Sequence, residues 1–513
     1  MSNSTILLSL VAITLTWIAY LFIKLAINYL NNIKLLSGLP GFHQFIPSLI
    51  ITRRSLLSKY FYTHTEILFT KVPELVKKYG SVFKIAFGHQ AIVVVTDTEF
   101  HKVISTRGGK TVLKEELRGD RISELFGGAD IFSVSDETVW RRHRLLLNPA
   151  FTDDKLSSTV VDVTNKTVSE LVKNINADHV RNISEDMSSL TLDVVGRAGF
   201  GYEFGCTNKT KGGDVSLSDS TASLINAFPF YILTPFKFLR RNFKVGPIKR
   251  VIENRDLFCK EISSIIEKRR NSQDEDVDES NDILSLLIRA SDHQADSFSI
   301  YELIENCFIF IVAGHETTSH TLTFALYLLS KYQHVQEEAF QYIKNKIPDY
   351  NSRNLDYHDY QENLMFIHNI FDETLRLYPV AVGITRKIHS DITFKNHVIP
   401  KGCSVIYNWS HDFRSEEHFK DANEFVPSRW EKSEPPGSDL DAKRARLYTP
   451  FGVGNRSCIG RRFAKIESVL VLARLISCYK ITLEDPSYDL SVDVEVTLHP
   501  VHPIRVVFTP RED

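Results

Sequence analysis

The sequence lacks the features that mark several common protein classes. Its six cysteines are scattered over 513 residues and none form a CxxC pair, which argues against a disulfide framework or a structural zinc site. Its formal net charge is −2, so the chain as a whole shows no basic excess of the kind that binds nucleic acid. No internal repeat is present, and no linker divides the chain after its first few dozen residues. Scattered thiols are typical of a protein that faces the reducing cytosol.

Charged residues are also absent from residues 6–23, which read ILLSLVAITLTWIAYLFI. This apolar stretch is roughly long enough to cross a ~30 Å hydrocarbon core. No Lys or Arg precedes it, whereas Lys24 and Lys34 follow, so the positive-inside rule places the rest of the chain in the cytosol. A cleaved signal peptide is the alternative, but neither a basic start nor a small-residue cleavage site is evident. The expected organisation is a transmembrane anchor over 1–30, a hinge over 31–45 and a folded domain over 46–513.

Long helical patterns dominate the remainder, as in Ser158–Val172 and Val312–Lys331. Short β-rich runs occur at Val82–Ile85, Ile92–Val95, His397–Ile399, Ser404–Tyr407 and Ile504–Phe508. The sequence therefore predicts a mostly α fold with a smaller β region.

One cysteine lies in a distinctive loop, the segment from 450 to 460 with sequence PFGVGNRSCIG. Cys458 precedes a helical pattern, and a helix N-terminus favours the thiolate over the thiol. Arg456 adds positive charge, and Gly454 and Gly460 allow a close backbone approach or a positive φ. A buried, inert cysteine beside a turn is the simpler interpretation of Cys458 alone. The pattern FxxGxRxCxG, which begins at Phe451, is met at all five of its positions.

This pattern is the haem-binding signature of the cytochrome P450 superfamily, and the chain resembles that family from its N-terminal stretch to its C-terminus. The resemblance implies haem b (iron protoporphyrin IX) with the Cys458 thiolate as its axial iron ligand. A thiolate ligand favours cleavage of the O–O bond. Phe451 would shield the sulfur from water, and Arg456 could face a haem propionate.

A second motif, AGHETT at residues 313–318, lies in a segment that is apolar almost all round and is therefore expected to be a buried helix. The resemblance implies that Ala313 contacts haem and that Gly314 lets the helix bend open. Thr317 would hold dioxygen, and Glu316 would relay protons. The alternative is a helix N-cap with a capping acid.

A third motif, ExxR at Glu373 and Arg376, has little specificity by itself. Its place between the Thr317 helix and the cysteine loop supports it, as does the PxRW segment that contains Arg429. The resemblance implies a buried Glu–Arg–Arg network with a structural role.

A fourth motif, WxxxR, implies that Trp140 and Arg144 reach a haem propionate. Arg386 is a weaker propionate candidate. The intervening Arg141 and Arg142 are expected on an exposed basic helix face.

The resemblance implies a monooxygenase that inserts one oxygen atom from O2 into a lipophilic small molecule. No flavin or nicotinamide motif is visible, so electrons from NADPH would come through a separate NADPH–cytochrome P450 reductase, with cytochrome b5 as a further candidate donor. The expected location is the endoplasmic reticulum membrane, with a single span. An aromatic stretch at 228–232 is a candidate lid at the bilayer, although such residues could equally be core.

Two alternatives stay open at this point. One is a haem-thiolate isomerase or dehydratase of peroxides, and the other is a non-catalytic haem sensor or binding protein. Both Glu316 and Thr317 are present, which favours oxygen activation over either alternative.

Overall fold

The structure is a computed structural model. It describes residues 3–45, 65–87, 90–106, 112–114, 125–126, 129–152, 154–175, 179–208, 221, 223–224, 246–271, 282–292, 298–431 and 446–511. The helices of these segments are α1 (Asn3–Leu35), α2 (Val72–Tyr79), α3 (Phe100–Thr106), α4 (Glu137–Thr152), α5 (Asp154–Asn174), α6 (Ile183–Phe200), α7 (Gly246–Asn271), α8 (Ile283–Asp292), α9 (Ile300–Lys331), α10 (Gln333–Lys346), α11 (Met365–Leu377), α12 (Ser410–Phe413) and α13 (Arg461–Cys478). The strands are β1 (Gly41–Gln44), β2 (Val82–Phe87), β3 (Ala91–Val95), β4 (Val112–Lys114), β5 (Val180–Asn182), β6 (Gly383–Ile388), β7 (Ile392–Phe394), β8 (His397–Ile399), β9 (Ser404–Asn408), β10 (Tyr479–Leu483), β11 (Val492–Val494), β12 (Leu498–Pro500) and β13 (Arg505–Pro510).

These elements confirm the predicted class, which is mostly helical with a smaller β region. The two helical patterns fall within α5 and α9, and each of the five β-rich runs coincides with a strand to within a few residues. The apolar periodicity was a sufficient signal because each of these elements buries one face or more.

The described chain divides into two compact units. The first comprises residues 1–115, 382–418 and 452–455. It contains a six-stranded sheet with the order β1-β2-β3-β9-β6-β4, in which β2 and β3 are antiparallel and β3 and β9 are parallel. Buried aliphatic side chains along β2 and β3 form its core.

The second unit comprises residues 116–381, 419–451 and 456–513, and it contains the long helices. Helix α9 is buried over most of its length, and α6, α11 and α13 all pack against it. Its start is fixed by a capping box, in which the Ser299 side chain accepts the Glu302 N–H and the Glu302 carboxylate accepts the Ser299 N–H. The fold thus holds the predicted AGHETT helix at the centre of this unit.

In the part of the chain that the structure describes, no helix has both the length and the apolar character needed to cross a membrane. The anchor expected over residues 1–30 is therefore not supported, although α1 does form a helix there. The candidate lid at 228–232 lies outside the described residues.

Candidate active site

The AGHETT motif lies in the middle of α9, so its interpretation as a helix N-cap is wrong. The helix is otherwise largely buried, yet Ala313 is exposed and Glu316 and Thr317 are half-buried. These residues form an accessible band on a core helix. The band interrupts the burial of the helix, so its side chains are open to a ligand.

Both polar side chains of the band are held by hydrogen bonds. The Thr317 hydroxyl donates to the Ala313 carbonyl at 2.7 Å. The Glu316 carboxylate accepts a hydrogen bond from the Thr497 hydroxyl at 2.6 Å. Threonine bonding of this type loosens the helix locally, which suits a position where the backbone must adapt to a ligand.

Gly314 has a packing role that the sequence did not reveal. A Cβ atom built on Gly314 would lie 3.0 Å from a methyl carbon of Val195 on α6. The neighbouring His315 approaches the same helix, because its Nε2 lies 2.9 Å from the Ser188 hydroxyl. Gly314 therefore permits close contact between α6 and α9, and α9 runs through it as one helix.

The cysteine loop leads into α13, as its sequence predicts. The Cys458 N–H donates to the Phe451 carbonyl at 2.8 Å, which closes the loop just before the helix. The Phe451 ring stacks on Phe371 at a centroid distance of 6.3 Å, and the Arg461 guanidinium lies 5.7 Å from the centroid of the Phe451 ring. Gly460 has a φ of −83°, a backbone angle that any residue can adopt. Gly454 has a φ of 67°, which favours glycine.

The environment of Cys458 fits an iron-ligating thiolate. The side chain is exposed, yet it is enclosed by enough protein that burial raises the pKa of its thiol. The Gly460 N–H, which bonds the sulfur, and the positive charges of Arg144 and Arg461 act in the opposite direction and favour the thiolate. An enclosed but accessible thiol with these partners matches the donor chemistry that haem iron requires.

The WxxxR helix is α4, and it approaches the cysteine loop. Arg144 donates to the Ser457 carbonyl at 3.1 Å, and it lines a cleft of about 390 Å³ together with Cys458. Trp140 is buried, and the Arg456 guanidinium stacks 4.1 Å from its ring centroid. The structure thus brings these four residues together around one short stretch of chain.

Arg456 has partners that its sequence context did not indicate. It donates to Glu137 at 3.2 Å and to the Val134 carbonyl at 3.1 Å. A guanidinium with these partners can still bind a propionate through its remaining N–H groups, but it also fastens the loop to α4.

Arg142 does not lie on an exposed basic face, so that expectation is wrong. It forms an ion pair with Glu302, whose carboxylate also lies 3.1 Å from the His143 Nε2. Arg141 is 64% exposed, as expected, and pairs with Glu137 of its own helix. The error arose because Glu302 is 160 residues away in the sequence.

Glu373 is the centre of a buried hydrogen-bond network. Its two carboxylate oxygens accept two N–H groups of Arg376, both at 2.9 Å, and one of Arg429 at 2.9 Å. Glu373 and Arg376 are fully buried. Both arginines also donate to backbone carbonyls in the segment 420–424. The network therefore holds the segment 420–424 against α11.

Two further donors to Glu373 were missed by the sequence analysis. The Trp430 indole N–H lies 2.8 Å from one carboxylate oxygen, and the Val426 backbone N–H lies 2.9 Å from the other. The indole contact could have been expected from the PxRW pattern. Trp430 directly follows Arg429 of the buried network, and a tryptophan near the core usually needs a hydrogen-bond acceptor for its N–H.

Arg386 and Gly454 belong to the first unit. Arg386 lies on β6, is half-buried and donates to the Thr385 carbonyl at 2.9 Å. Its role as a propionate ligand stays a prediction.

Comparison with known proteins gives the class. The family model "Cytochrome P450" matches residues 55–504, and the chain therefore belongs to the cytochrome P450 family. Membership of this family establishes that the protein is a P450 monooxygenase with haem b as its cofactor. Such an enzyme uses O2 and takes electrons from a redox partner.

The chain is similar to mammalian cytochromes P450 over most of its length. The chain is 26% identical over 455 residues to mouse cytochrome P450 3A13, a match that covers 85% of this chain and 86% of the mouse protein. It is 27% identical over 455 residues to rabbit cytochrome P450 3A6, with the same coverage.

Solved structures share the fold. The crystal structure of CYP102L1 superimposes with a TM-score of 0.74 at 24% identity, covering 92% of this chain and 99% of that one. Retinoic acid bound cyanobacterial CYP120A1 gives a TM-score of 0.75 at 19% identity over the same shares. At these identities the likeness concerns the fold alone.

Proposed function

We propose that this monooxygenase hydroxylates a lipophilic small molecule at the accessible band of α9, with Cys458 as the axial ligand of its haem iron. The observation that carries the proposal is the band itself. A core helix leaves Ala313, Glu316 and Thr317 accessible, and two of the three are polar groups suited to handling oxygen and protons. Val312, which is half-buried and directly precedes Ala313, is the apolar candidate for substrate contact, whereas Phe308 and Ile309 on the same helix are buried.

Haem, when bound, supplies the oxygen chemistry that protein side chains lack. The residues of this chain do the rest of the work. Arg144 and Trp140 would hold the haem propionates, and Phe451 would shield the Cys458 sulfur from water. Ala313 leaves room beside the helix for a flat cofactor, since it projects only a methyl group.

Proton handling falls to the acid and the threonine. The Thr317 hydroxyl can turn from the Ala313 carbonyl towards a bound ligand, at the cost of one hydrogen bond. The Glu316 carboxylate, held by Thr497, can accept a proton at one oxygen and pass it on. Glu373, Arg376 and Arg429 serve the site through structure, because they fix the chain segment that precedes the cysteine loop.

The finer assignments are part of the same proposal. Electrons would come from NADPH through a separate NADPH–cytochrome P450 reductase, with cytochrome b5 as a further donor. The protein would associate with the endoplasmic reticulum membrane through residues 1–30, which include the uncharged run 6–23, with 31–45 as hinge and 46–513 as the catalytic domain. Exposed Trp17 and Tyr20 on α1 would suit a membrane interface.

A spectrum of the reduced, carbon monoxide-bound protein tests the ligand. We expect the thiolate-type Soret band in the wild type and its loss in Cys458→Ala, while Cys478→Ala, a matched control at the far end of α13, keeps it. A thiolate band that survives Cys458→Ala would refute the assignment. Turnover that needs NADPH and added reductase supports the monooxygenase. Rearrangement of peroxides without them would indicate an isomerase, and haem binding without any turnover would indicate a haem sensor.

A further inference from the structure

A polar cluster contacts the Glu316 carboxylate and extends along α9 to His320. Thr497 lies in the turn before β12, and its hydroxyl oxygen is 2.6 Å from Glu316 and 3.2 Å from the Nδ1 atom of His320. His320 is one turn further along α9 than Glu316, and Thr497 is buried. The hydroxyl therefore bridges two side chains of α9 that succeed each other on one helix face.

The direction of these hydrogen bonds is fixed by their chemistry. A carboxylate can only accept, so the single Thr497 proton points to Glu316. The Thr497 oxygen must then accept from His320, which places a proton on His320 Nδ1. Burial, with smaller contributions from His499 and His315, lowers the pKa of His320 to about 3, so the ring is neutral and its Nε2 carries a lone pair.

His499 fixes this arrangement from the other side. Its ring lies 5.7 Å from that of His320 at an interplanar angle of 30°. Its Nδ1 atom is 3.1 Å from the Thr497 carbonyl, which can only accept, so His499 holds the turn that carries the threonine. The chain of donors and acceptors that ends on Glu316 therefore consists of the His320 ring and the Thr497 hydroxyl, and His499 supports it through the backbone of the turn.

We propose that His320 and Thr497 are positioning residues that orient the Glu316 carboxylate and pass protons to it. A proton taken up at His320 Nε2 releases the Nδ1 proton to the Thr497 oxygen, and the original Thr497 proton moves to Glu316. His320 and Thr497 each gain one proton and lose one, Glu316 gains one proton, and no oxidant or reductant is involved. This inference rests on the proposed function, in which Glu316 supplies protons for oxygen activation.

The first test measures coupling, which is the product formed per NADPH consumed, together with the peroxide released. Thr497→Val removes the bridging hydroxyl at nearly constant volume, and we expect coupled turnover to fall about tenfold, because a hydrogen bond to a charged group is lost. Thr497→Ser should restore it. The control is Thr323→Val, which removes a buried hydroxyl of α9 that donates to the Ser319 carbonyl of its own helix. Uncoupling equal in Thr497→Val and Thr323→Val would overturn the proposal.

The second test separates orientation from proton transfer. His320→Gln keeps an N–H donor for Thr497 but cannot carry a proton from one side of the ring to the other. We expect His320→Gln to uncouple as Thr497→Val does and to raise the solvent deuterium isotope effect about twofold or more. Wild-type coupling in His320→Gln would overturn the transfer of protons through His320.

A third readout does not depend on activity. In protein labelled with 15N-histidine and held in the diamagnetic ferrous carbonyl state, the His320 signals should show a neutral ring with its proton on Nδ1. Thr497→Val should shift them and Thr323→Val should not. An Nε2-protonated His320 in the wild type would overturn the proposal. If the wild type lacks the thiolate spectrum or NADPH-dependent turnover, the proposed function fails. If the wild type shows both, but Thr497→Val and His320→Gln behave as the wild type does, this inference fails and the proposed function stands.

Discussion

Replacing the buried acid at the centre of the α11 network should destabilise the protein strongly. Glu373→Gln keeps the size of the side chain but converts one carboxylate oxygen into an NH2 donor. That group would face either Arg376 Nε and the Trp430 indole or the Arg429 side of the network, and every partner there is also a donor. At least two hydrogen bonds are therefore lost, and their donors stay buried.

The expected magnitude follows from this count. Each buried donor left without an acceptor costs about 1–3 kcal/mol, and removal of one partner from a buried ion pair costs about 3–5 kcal/mol in total. The second range applies here because Glu373 and Arg376 are both fully buried and solvent cannot screen the remaining positive charges.

Denaturant unfolding, followed by tryptophan fluorescence and circular dichroism, measures the change. We expect Glu373→Gln to lower the free energy of unfolding by about 3–5 kcal/mol, with a parallel loss of haem-loaded protein. Glu338→Gln is the matched control, since Glu338 is exposed on α10, and its effect should stay within about 0.5 kcal/mol. A Glu373→Gln protein within about 1 kcal/mol of the wild type would refute the view that this network supports the fold.

Two further predictions concern stability elsewhere. Burial raises the pKa of Asp412 to about 8, so between its ordinary pKa and pH 8 the folded protein keeps a proton on Asp412 that the unfolded chain has released. The free energy of unfolding should therefore fall as the pH rises towards 8. Asp412→Asn should remove that loss, which is measured as the free energy of unfolding against pH. The variant and the wild type should agree at pH 4, and equal stability at pH 9 would contradict the expectation. Gly314→Val places extra methyl groups against Val195 and should cost about 1–3 kcal/mol, which Val195→Ala should largely restore in the double variant. A Gly314→Val protein as stable as the wild type would show that the contact is not tight.

The sequence was informative where function depends on residues close together in the chain. The cysteine loop and α13 follow each other directly, and the Glu373–Arg376 spacing is a local property of a helix. The AGHETT segment could be placed on a buried helix because apolar residues surround it on both sides.

The remaining features depend on contacts between distant parts of the chain. Thr497 is 181 residues from Glu316, and nothing in its local sequence marks it as a partner of the acid. Arg142 was misplaced for the same reason, because its partner Glu302 is visible only when α4 and α9 pack together. The packing role of Gly314 likewise required the position of Val195 on α6.

The contacts between α6 and α9 have a consequence for how such a protein can be adapted. Gly314 meets Val195, His315 meets Ser188, and the Thr191 hydroxyl donates to the His315 carbonyl at 3.2 Å. These contacts hold this part of α9 against α6, so the band formed by Ala313, Glu316 and Thr317 should change little in shape from one substrate to the next. New substrate preferences are therefore best sought by varying the segments that face α9, which leaves the oxygen-handling residues undisturbed.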